Sequence, residues 1–564
     1  MLKRSVRSAL IAPSSSSHLN SSKVYEASVL HHKTSKNQIY LLLSKQCCSD
    51  MALKSGESYQ MEVQFQLDRL SFCTMHKAVD LLPDTSRVVP DLSNCAVPVS
   101  NVSCELNSKQ KSAVDFILGT CDGKKPMVAP LLIYGPFGTG KTLTLATAAR
   151  ELCKHPHNKV LICTYTNSSA DLYVRDHFHP FISKKNNGLK PVRIKANKHG
   201  NALAATDETT LRYCSLSEDK QHFLLPTKAI LRDHNIVITT TSMAKHFHGL
   251  GLAEGFFTHI LIDEASQMLE CEALLALALA GPNTRIVLAG DHMQMGPQLF
   301  SVDEHRRSDY TILTRLFHYY QGQKCDAAQK SRIIFSDNYR STTEIVEFVS
   351  THFYVGKNDA IRAAGNIPTP SNGHALKFHH VRGECLLDAG TMSWFNKQEV
   401  AEVVKAVKDV LKDWPSTWGP KSLNSVCILS EGSQVRQIRM ALRRSLSEVN
   451  VETISNVQGA NQHLVEGVLT KLPGCCSQGQ SLPRSKGSVD EERCHHRLLP
   501  ITGPQDKVNC RLLLRVELTG NLTDGNRAVR KVRYHSGRVG KEVYGFVHGA
   551  EREAVHLELH LHLV

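Results

Sequence analysis

Between Leu106 and Leu299, short apolar runs alternate with helix-like stretches along the chain. The runs are LLIYG (131–135), KVLICTYT (159–166), NIVITTT (235–241), HILIDEA (259–265) and RIVLAGD (285–291). Each is almost continuously apolar and ends in polar or glycine residues, the pattern of strands buried on both faces of a parallel sheet. Such sheets bind ligands at the carboxyl ends of their strands, so the informative residues are expected there. A second set follows: RIIFSDNYR (332–340), SVCILS (425–430) and NVETISNVQG (450–459). Within it, FNKQEVAEVVKAVKDVLK puts Val400, Val403, Val404, Val407 and Leu411 on one helical face. Asn396 and Glu399 have the form of a capping box at its start. The pattern predicts an α/β chain with two domains in tandem, 106–330 and 331–459.

Upstream, Met61–Leu67 alternates apolar and polar side chains, and a short helix is expected around His76–Leu82. Residues 51–105 therefore read as a small β-rich accessory element. Residues 1–50 read as a disordered leader. MLKRSVRSALIAPSSSSHLNSSK is basic and Ser-rich with no acidic residue before Glu26, a composition shared with mitochondrial presequences.

Composition narrows the class. With 564 residues, 41% of them apolar, several cores are possible. No run approaches the ~20 apolar residues that a membrane span requires, so no membrane partner is expected. The 17 cysteines are scattered, odd in number and without a C-x-x-C pair, which suits reduced intracellular thiols better than a disulfide framework. A net charge of +14 and a pI near 9.0 suit a polyanionic partner, or simply a basic, solvated surface.

The chemistry is sharpest at Gly135-Pro-Phe-Gly138-Thr139-Gly140-Lys141-Thr142, which matches G-x-x-x-x-G-K-[ST] between a strand and a helix. Glycines let backbone N–H groups close around phosphate, Lys141 reaches the β/γ-phosphates, and Thr142 can ligate Mg²⁺. Asp263 and Glu264 end the apolar strand HILI. An acidic pair there can hold Mg²⁺ through the first carboxylate and polarise a water through the second, whereas a solvated acidic turn is the plainer reading. GDHMQMGP then sets Gln294 at another strand end, suited to sensing a γ-phosphate.

Taken together, these residues resemble superfamily 1 helicases of the nonsense-mediated-decay-helicase-like group, in the helicase-with-zinc-finger branch. The residues that carry the resemblance are LNSKQ with Gln110, GPFGTGKT, TNSSADLYVRDHFHP, DEASQ (263–267), GDHMQMGP and NYRS (338–341). They lie within residues 50–459. The resemblance implies two RecA-like domains with ATP and Mg²⁺ between them. Gln110 would read adenine, and Tyr339 would stack on the base. Arg340 would approach the γ-phosphate from the second domain. Thr166, Asn167 and Thr240 would contact nucleic acid, although each alone could equally cap a helix. It further implies single-stranded RNA rather than DNA as partner, nuclear-receptor or mRNA-decay proteins as associates, and a location in cytoplasm, nucleus or both.

The chain also departs from the pattern. No cysteine spacing supports a CCCH finger, and the adjacent pairs Cys475-Cys476 and His495-His496 beside Cys494 suit a closed tetrahedral zinc site poorly. ILSEGSQVRQIR has Ser430-Glu431-Gly432 where related motors carry Thr-Pro-Tyr. After Gln458-Gly459 the motor pattern stops, with no Thr-Arg-Ala segment following. The second domain is therefore expected to be incomplete, with 460–564 a divergent tail, whether a functional extension or unrelated sequence. The expected function is an ATP-dependent RNA helicase-type NTPase with weakened turnover. The alternatives are an ATP-binding scaffold or transcriptional coactivator, and a DNA helicase.

Overall fold

A computed structural model describes residues 6–453 apart from short segments, the longest being 366–374, and beyond 453 only three strands, Leu464–Val468, Leu512–Arg515 and Glu558–His560. The chain divides into two compact units, one of residues 1–74 with 522–564 and one of residues 75–521.

The first unit corrects the disordered leader. Strands β1 (Val6–Pro13), β2 (Tyr25–Val29), β3 (Leu41–Leu42) and β4 (Ser58–Leu67) form an antiparallel sheet, with helix α1 (Lys45–Asp50) in the same segment. Strand β1 runs between β2 and β4, with Ala9 opposite Ala27 and Phe65, and Ile11 opposite Tyr25 and Val63. Its alternate side chains Ala9 and Ile11 bury against Ala27, Cys47, Met51 and Met61. The Ser-rich composition hid a half-buried strand because Ala and Ile in alternation are too few to register until a partner strand supplies the other half of the core. Glu558–His560 pairs antiparallel with β4 and forms the opposite edge of this sheet.

In the second unit the five expected runs all form parallel strands of one seven-stranded sheet. They are β5 (Leu131–Tyr134), β6 (Val160–Thr164), β8 (Ile236–Thr240), β9 (Phe257–Ile262) and β10 (Ala280–Gly290), joined by β7 (Pro191–Arg193) and β11 (Arg332–Ile334). The order is β11-β5-β10-β9-β6-β8-β7. Alternation is strict: Leu131, Ile133, Ile162 and Leu261 belong to one core, and Leu132, Tyr134, Leu161 and Ile262 to the other. Successive side chains point to opposite faces of a strand, so a continuous apolar run fills two cores at once. Each buried aliphatic side chain contributes roughly 1.5–3 kcal/mol.

Strand β11 corrects a boundary. Arg332–Ile334 was expected to open the second domain, yet it pairs in parallel with β5 at the edge of the first sheet, Ile333 opposite Ile133. Asn338–Arg340 therefore emerges from the first sheet.

The second domain is built on helix α2 (Lys397–Lys412), strand β12 (Val426–Ser430), helix α3 (Gly432–Leu442) and strand β13 (Asn450–Thr453). Val403, Val407 and Leu411 bury against Val426, Ile428 and Ile438, as the helical spacing predicts. Asn396 Oδ1 accepts from the backbone N–H groups of Gln398 and Glu399 at the cap. The carboxylate of Glu399 accepts from Gln434 Nε2 at 2.9 Å, which ties the two helices together. Leu464–Val468 pairs in parallel with β12, and Leu512–Arg515 pairs with it in turn. Segments beyond Gly459 thus enter this sheet, whereas the sequence pattern placed its end there. The break itself (454–463) and Cys475, Cys476, Cys494, His495 and His496 lie outside the described residues. Among the described residues, no helix is long and apolar enough to cross a membrane.

Candidate nucleotide site

The phosphate loop joins β5 to a helix at Lys141–Leu152, and its glycines are required by geometry. Gly138 and Gly140 have φ of +66° and +81°, a region that costs other residues roughly 1–2 kcal/mol. A Cβ on Gly138 would lie 2.7 Å from Asn338 Nδ2, and one on Gly140 would lie 2.5 Å from Gln110 Nε2. Gly135 faces Thr139 Oγ1, which a Cβ would meet at 2.6 Å. Thr139 itself donates to the Pro136 carbonyl at 2.7 Å. Lys141 Nζ donates to the carbonyls of Gly135 and Pro136. Burial pushes its ammonium below the usual lysine range, opposed by Asp291 and Asp263 and reinforced by Arg340.

Thr142 and Asp263 meet across the sheet. Thr142 Oγ1 and Tyr173 Oη both donate to Asp263 Oδ2 at 2.8 Å, while Asp263 Oδ1 accepts from the Glu264 backbone N–H at 2.9 Å. A hydroxyl beside a buried carboxylate is an all-oxygen donor pair, the chemistry that suits a hard cation such as Mg²⁺. Glu264 follows in the left-handed region, φ 58° and ψ 31°, a strain of the kind that clusters at functional sites. Burial and the neighbouring Asp263 raise its carboxyl to about 7, while the Ser169 hydrogen bond pulls the other way.

Gln294 Nε2 donates to Asp291 Oδ2 at 2.8 Å, and the hydroxyl of Tyr354 donates to the same oxygen. From the other side, Tyr339 N–H donates to the Gly138 carbonyl at 2.9 Å and Asn338 Nδ2 to the Phe137 carbonyl at 2.8 Å. These bonds fix the backbone that carries Arg340 beside the loop. Tyr339 is 41% exposed, and its hydroxyl accepts from Asn107 Nδ2 at 2.8 Å. Gln110 is buried; its Nε2 donates to the Thr139 carbonyl at 2.9 Å, and its Oε1 completes a capping box with Asn107. In this arrangement Gln110 braces the loop.

The expected nucleic-acid residues gather at the ends of β6, the neighbour of β9, and of β8. Thr164 and Thr240 are register partners on β6 and β8, so Thr166, Asn167 and Thr240 share one end of the sheet. Thr166 Oγ1 caps the following helix by accepting from Ser169 N–H at 3.1 Å, which is the helix-cap alternative realised. Asn167 Oδ1 accepts from Arg193 Nη2 at 2.8 Å, and Thr240 Oγ1 lies 3.1 Å from Ser242 Oγ. Sequence reasoning passed over Ser169, Tyr173, Asp291 and Asn338. Asp291 and Asn338 did carry a signal, as polar residues at strand ends inside GDHMQ and NYRS. Ser169 and Tyr173 carried none.

Two family models described as AAA domain match the chain, one over residues 105–223 and 215–302 and the other over 310–467. The human "3'-5' exoribonuclease HELZ2" is 44% identical over 481 residues, 85% of this chain and 16% of that protein. The mouse protein of the same name is 44% identical over 469 residues, 82% of this chain and 16% of that protein. The chain belongs to the superfamily 1 helicases. Within them it groups with the helicase-with-zinc-finger branch, since the human "Probable helicase with zinc finger domain" is 38% identical over 481 residues, 83% of this chain and 24% of that protein. These alignments cover more of the chain than residues 50–459, where the motifs are legible. The chain spans about a sixth of the length of the HELZ2 relatives. Its glycine loop, acidic strand end and parallel sheets fit the RecA-like domains of that family.

Proposed function

We propose that this helicase chain binds ATP with Mg²⁺ and couples its hydrolysis to movement along, or remodelling of, single-stranded RNA. The observation that carries the reading is the convergence on one glycine loop of Lys141, the Thr142–Asp263 pair, Glu264 and Arg340. Lys141 swings from the Gly135 and Pro136 carbonyls to the β/γ-phosphates, while Gly138 and Gly140 leave room for oxygen against backbone N–H. Thr142 and Asp263 would hold Mg²⁺, which would supply charge neutralisation at the phosphates. Glu264 takes the proton of the attacking water, a role its raised pKa suits near neutral pH. Arg340 faces the charge that develops on the γ-phosphate, Gln294 orients around it through Asp291, and Tyr339 stacks on the base.

Thr166, Asn167 and Thr240 offer hydroxyl and amide groups to backbone phosphates. RNA is favoured over DNA by the family. The exoribonuclease of the HELZ2 name is said of those far longer proteins. The test is ATP turnover of the full chain with and without poly(U) RNA and oligo(dT). Stimulation by RNA supports the motor. Binding of a fluorescent ATP analogue without turnover assigns a scaffold, and preferential stimulation by oligo(dT) assigns a DNA motor. Lys141→Ala should lower turnover by about 100-fold or more while the fold persists.

A further inference from the structure

Ser169 sits between the expected nucleic-acid rim and the candidate catalytic glutamate. Its Oγ donates to Glu264 Oε1 at 2.7 Å, and lies 2.8 Å from Thr166 Oγ1. The second carboxylate oxygen of Glu264, Oε2, is buried without a hydrogen-bond partner. Proton counting orders this chain. An ionised carboxylate only accepts, so the single hydroxyl proton of Ser169 belongs to Glu264. Thr166 must then donate its own proton to Ser169, while its oxygen accepts the Ser169 backbone N–H at 3.1 Å. Phosphate oxygens of a nucleic acid are also acceptors, so a phosphate bound by the Thr166 hydroxyl takes the same proton. It cannot serve both.

We propose that Ser169 is a positioning residue that holds Glu264 away from the nucleotide until nucleic acid takes the Thr166 hydroxyl, so that occupancy of the rim is transmitted to hydrolysis through Thr166, Ser169 and Glu264. The inference rests on the reading of the chain as a nucleic-acid-stimulated NTPase. In the resting arrangement the two hydroxyls polarise each other and strengthen the bond to Glu264. When the Thr166 proton turns to a phosphate, that support is withdrawn and the carboxylate is released toward the Thr142–Asp263 pair.

The experiment measures ATP turnover of the full chain against poly(U) concentration for the parent, Ser169→Ala, Ser169→Cys and Ser169→Thr. Loss of one hydrogen bond to a charged group should raise RNA-free kcat about tenfold in Ser169→Ala. RNA-saturated kcat and the KM for ATP should stay within about twofold of the parent, so the stimulation ratio collapses. Ser169→Cys, nearly isosteric with a weak donor, should move in the same direction, and Ser169→Thr, which keeps the hydroxyl, should restore the parent ratio. A stimulated parent whose ratio is unchanged in Ser169→Ala and Ser169→Cys, or whose RNA-free rate falls in them, overturns the relay alone. A parent with no turnover under either condition overturns the NTPase reading, and the relay with it.

Discussion

Asp171→Asn probes a buried charge cluster beneath the sheet end that carries Thr166 and Asn167. Asp171 Oδ1 accepts from Arg193 Nε at 2.8 Å and Oδ2 from Lys195 Nζ at 2.7 Å. The Arg193 side chain is 0% exposed, that of Lys195 8% and that of Asp171 13%, so water screens little of the cluster. Arg193 also donates to Asn167 Oδ1, and Lys195 to Thr206 Oγ1 at 2.7 Å. Two cations share one carboxylate. The amide of Asn removes the carboxylate charge bonded to both cations and directs N–H donors at N–H donors. Breaking a buried pair in this way costs about 3–5 kcal/mol. For a domain of this size each kcal/mol lowers Tm by roughly 2–4 °C, so the loss should be about 6–20 °C. Scanning fluorimetry of the full chain, read on the transition of the first domain, measures it. The triple variant Asp171→Asn, Arg193→Met, Lys195→Met should recover most of the loss, because apolar side chains of similar volume replace buried ions at little cost. A Tm change below about 2 °C for Asp171→Asn alone would refute the reasoning, since it would mean that solvent already screens the cluster.

Other perturbations address the nucleotide site. Gly138→Ala places a Cβ 2.7 Å from Asn338 Nδ2 at φ +66°; nucleotide affinity should fall about tenfold or more by fluorescent-ATP titration, from strain of roughly 1–2 kcal/mol and loss of the docked Asn338. Tyr339→Ala should weaken nucleotide binding by about tenfold, a stacking contribution of about 1–1.5 kcal/mol, with Tm unchanged because the ring is exposed. With its carboxyl raised to about 7 by burial, Glu264 acts as a base only when ionised, so kcat/KM should climb about tenfold per pH unit below 7 and level above it. The stability sign follows from the same shift. The folded state holds this proton more tightly than the unfolded chain, so folding loses stability as pH rises from about 4.5 to about 7. Glu264→Gln should therefore raise Tm at pH 8 and give no gain at pH 4.5 in scanning fluorimetry.

How much of this was legible in the chain depends on how local the signal was. The helix at Lys397–Lys412 and the strands at 131–134, 160–164, 236–240, 257–262 and 280–290 followed from period alone, because continuous Val, Ile and Leu can bury on both faces only in a covered parallel sheet. Lys141, Thr142, Asp263 and Gln294 stood out as candidates for a related reason. Each occupies a strand end or loop where a polar residue has no packing role. The strand Val6–Pro13 was not legible, since Ala9 and Ile11 gain a core only through Ala27, Met61 and their neighbours. Pro191–Arg193 is too short for its period to register, and it carries an arginine whose burial depends on Asp171, 22 residues away.

The sequence by itself determined that this chain folds as α/β domains, where the glycine loop lies, and which carboxylates end the strand opposite it. Those features reside in runs of neighbouring residues, whose backbone geometry and apolar content set them before any distant contact forms. Tertiary structure alone decided the rest. It set Arg332–Ile334 against Leu132–Tyr134, which brings Arg340 to the glycine loop from the first sheet. It paired Leu464–Val468 with Val426–Leu429, continuing a sheet whose motif pattern had stopped. It also turned a serine at 169, an ordinary helix residue in the sequence, onto the carboxylate of Glu264, 95 residues later. Hydrogen bonds between residues so far apart are fixed by sheet order and register, which no local pattern of side chains encodes.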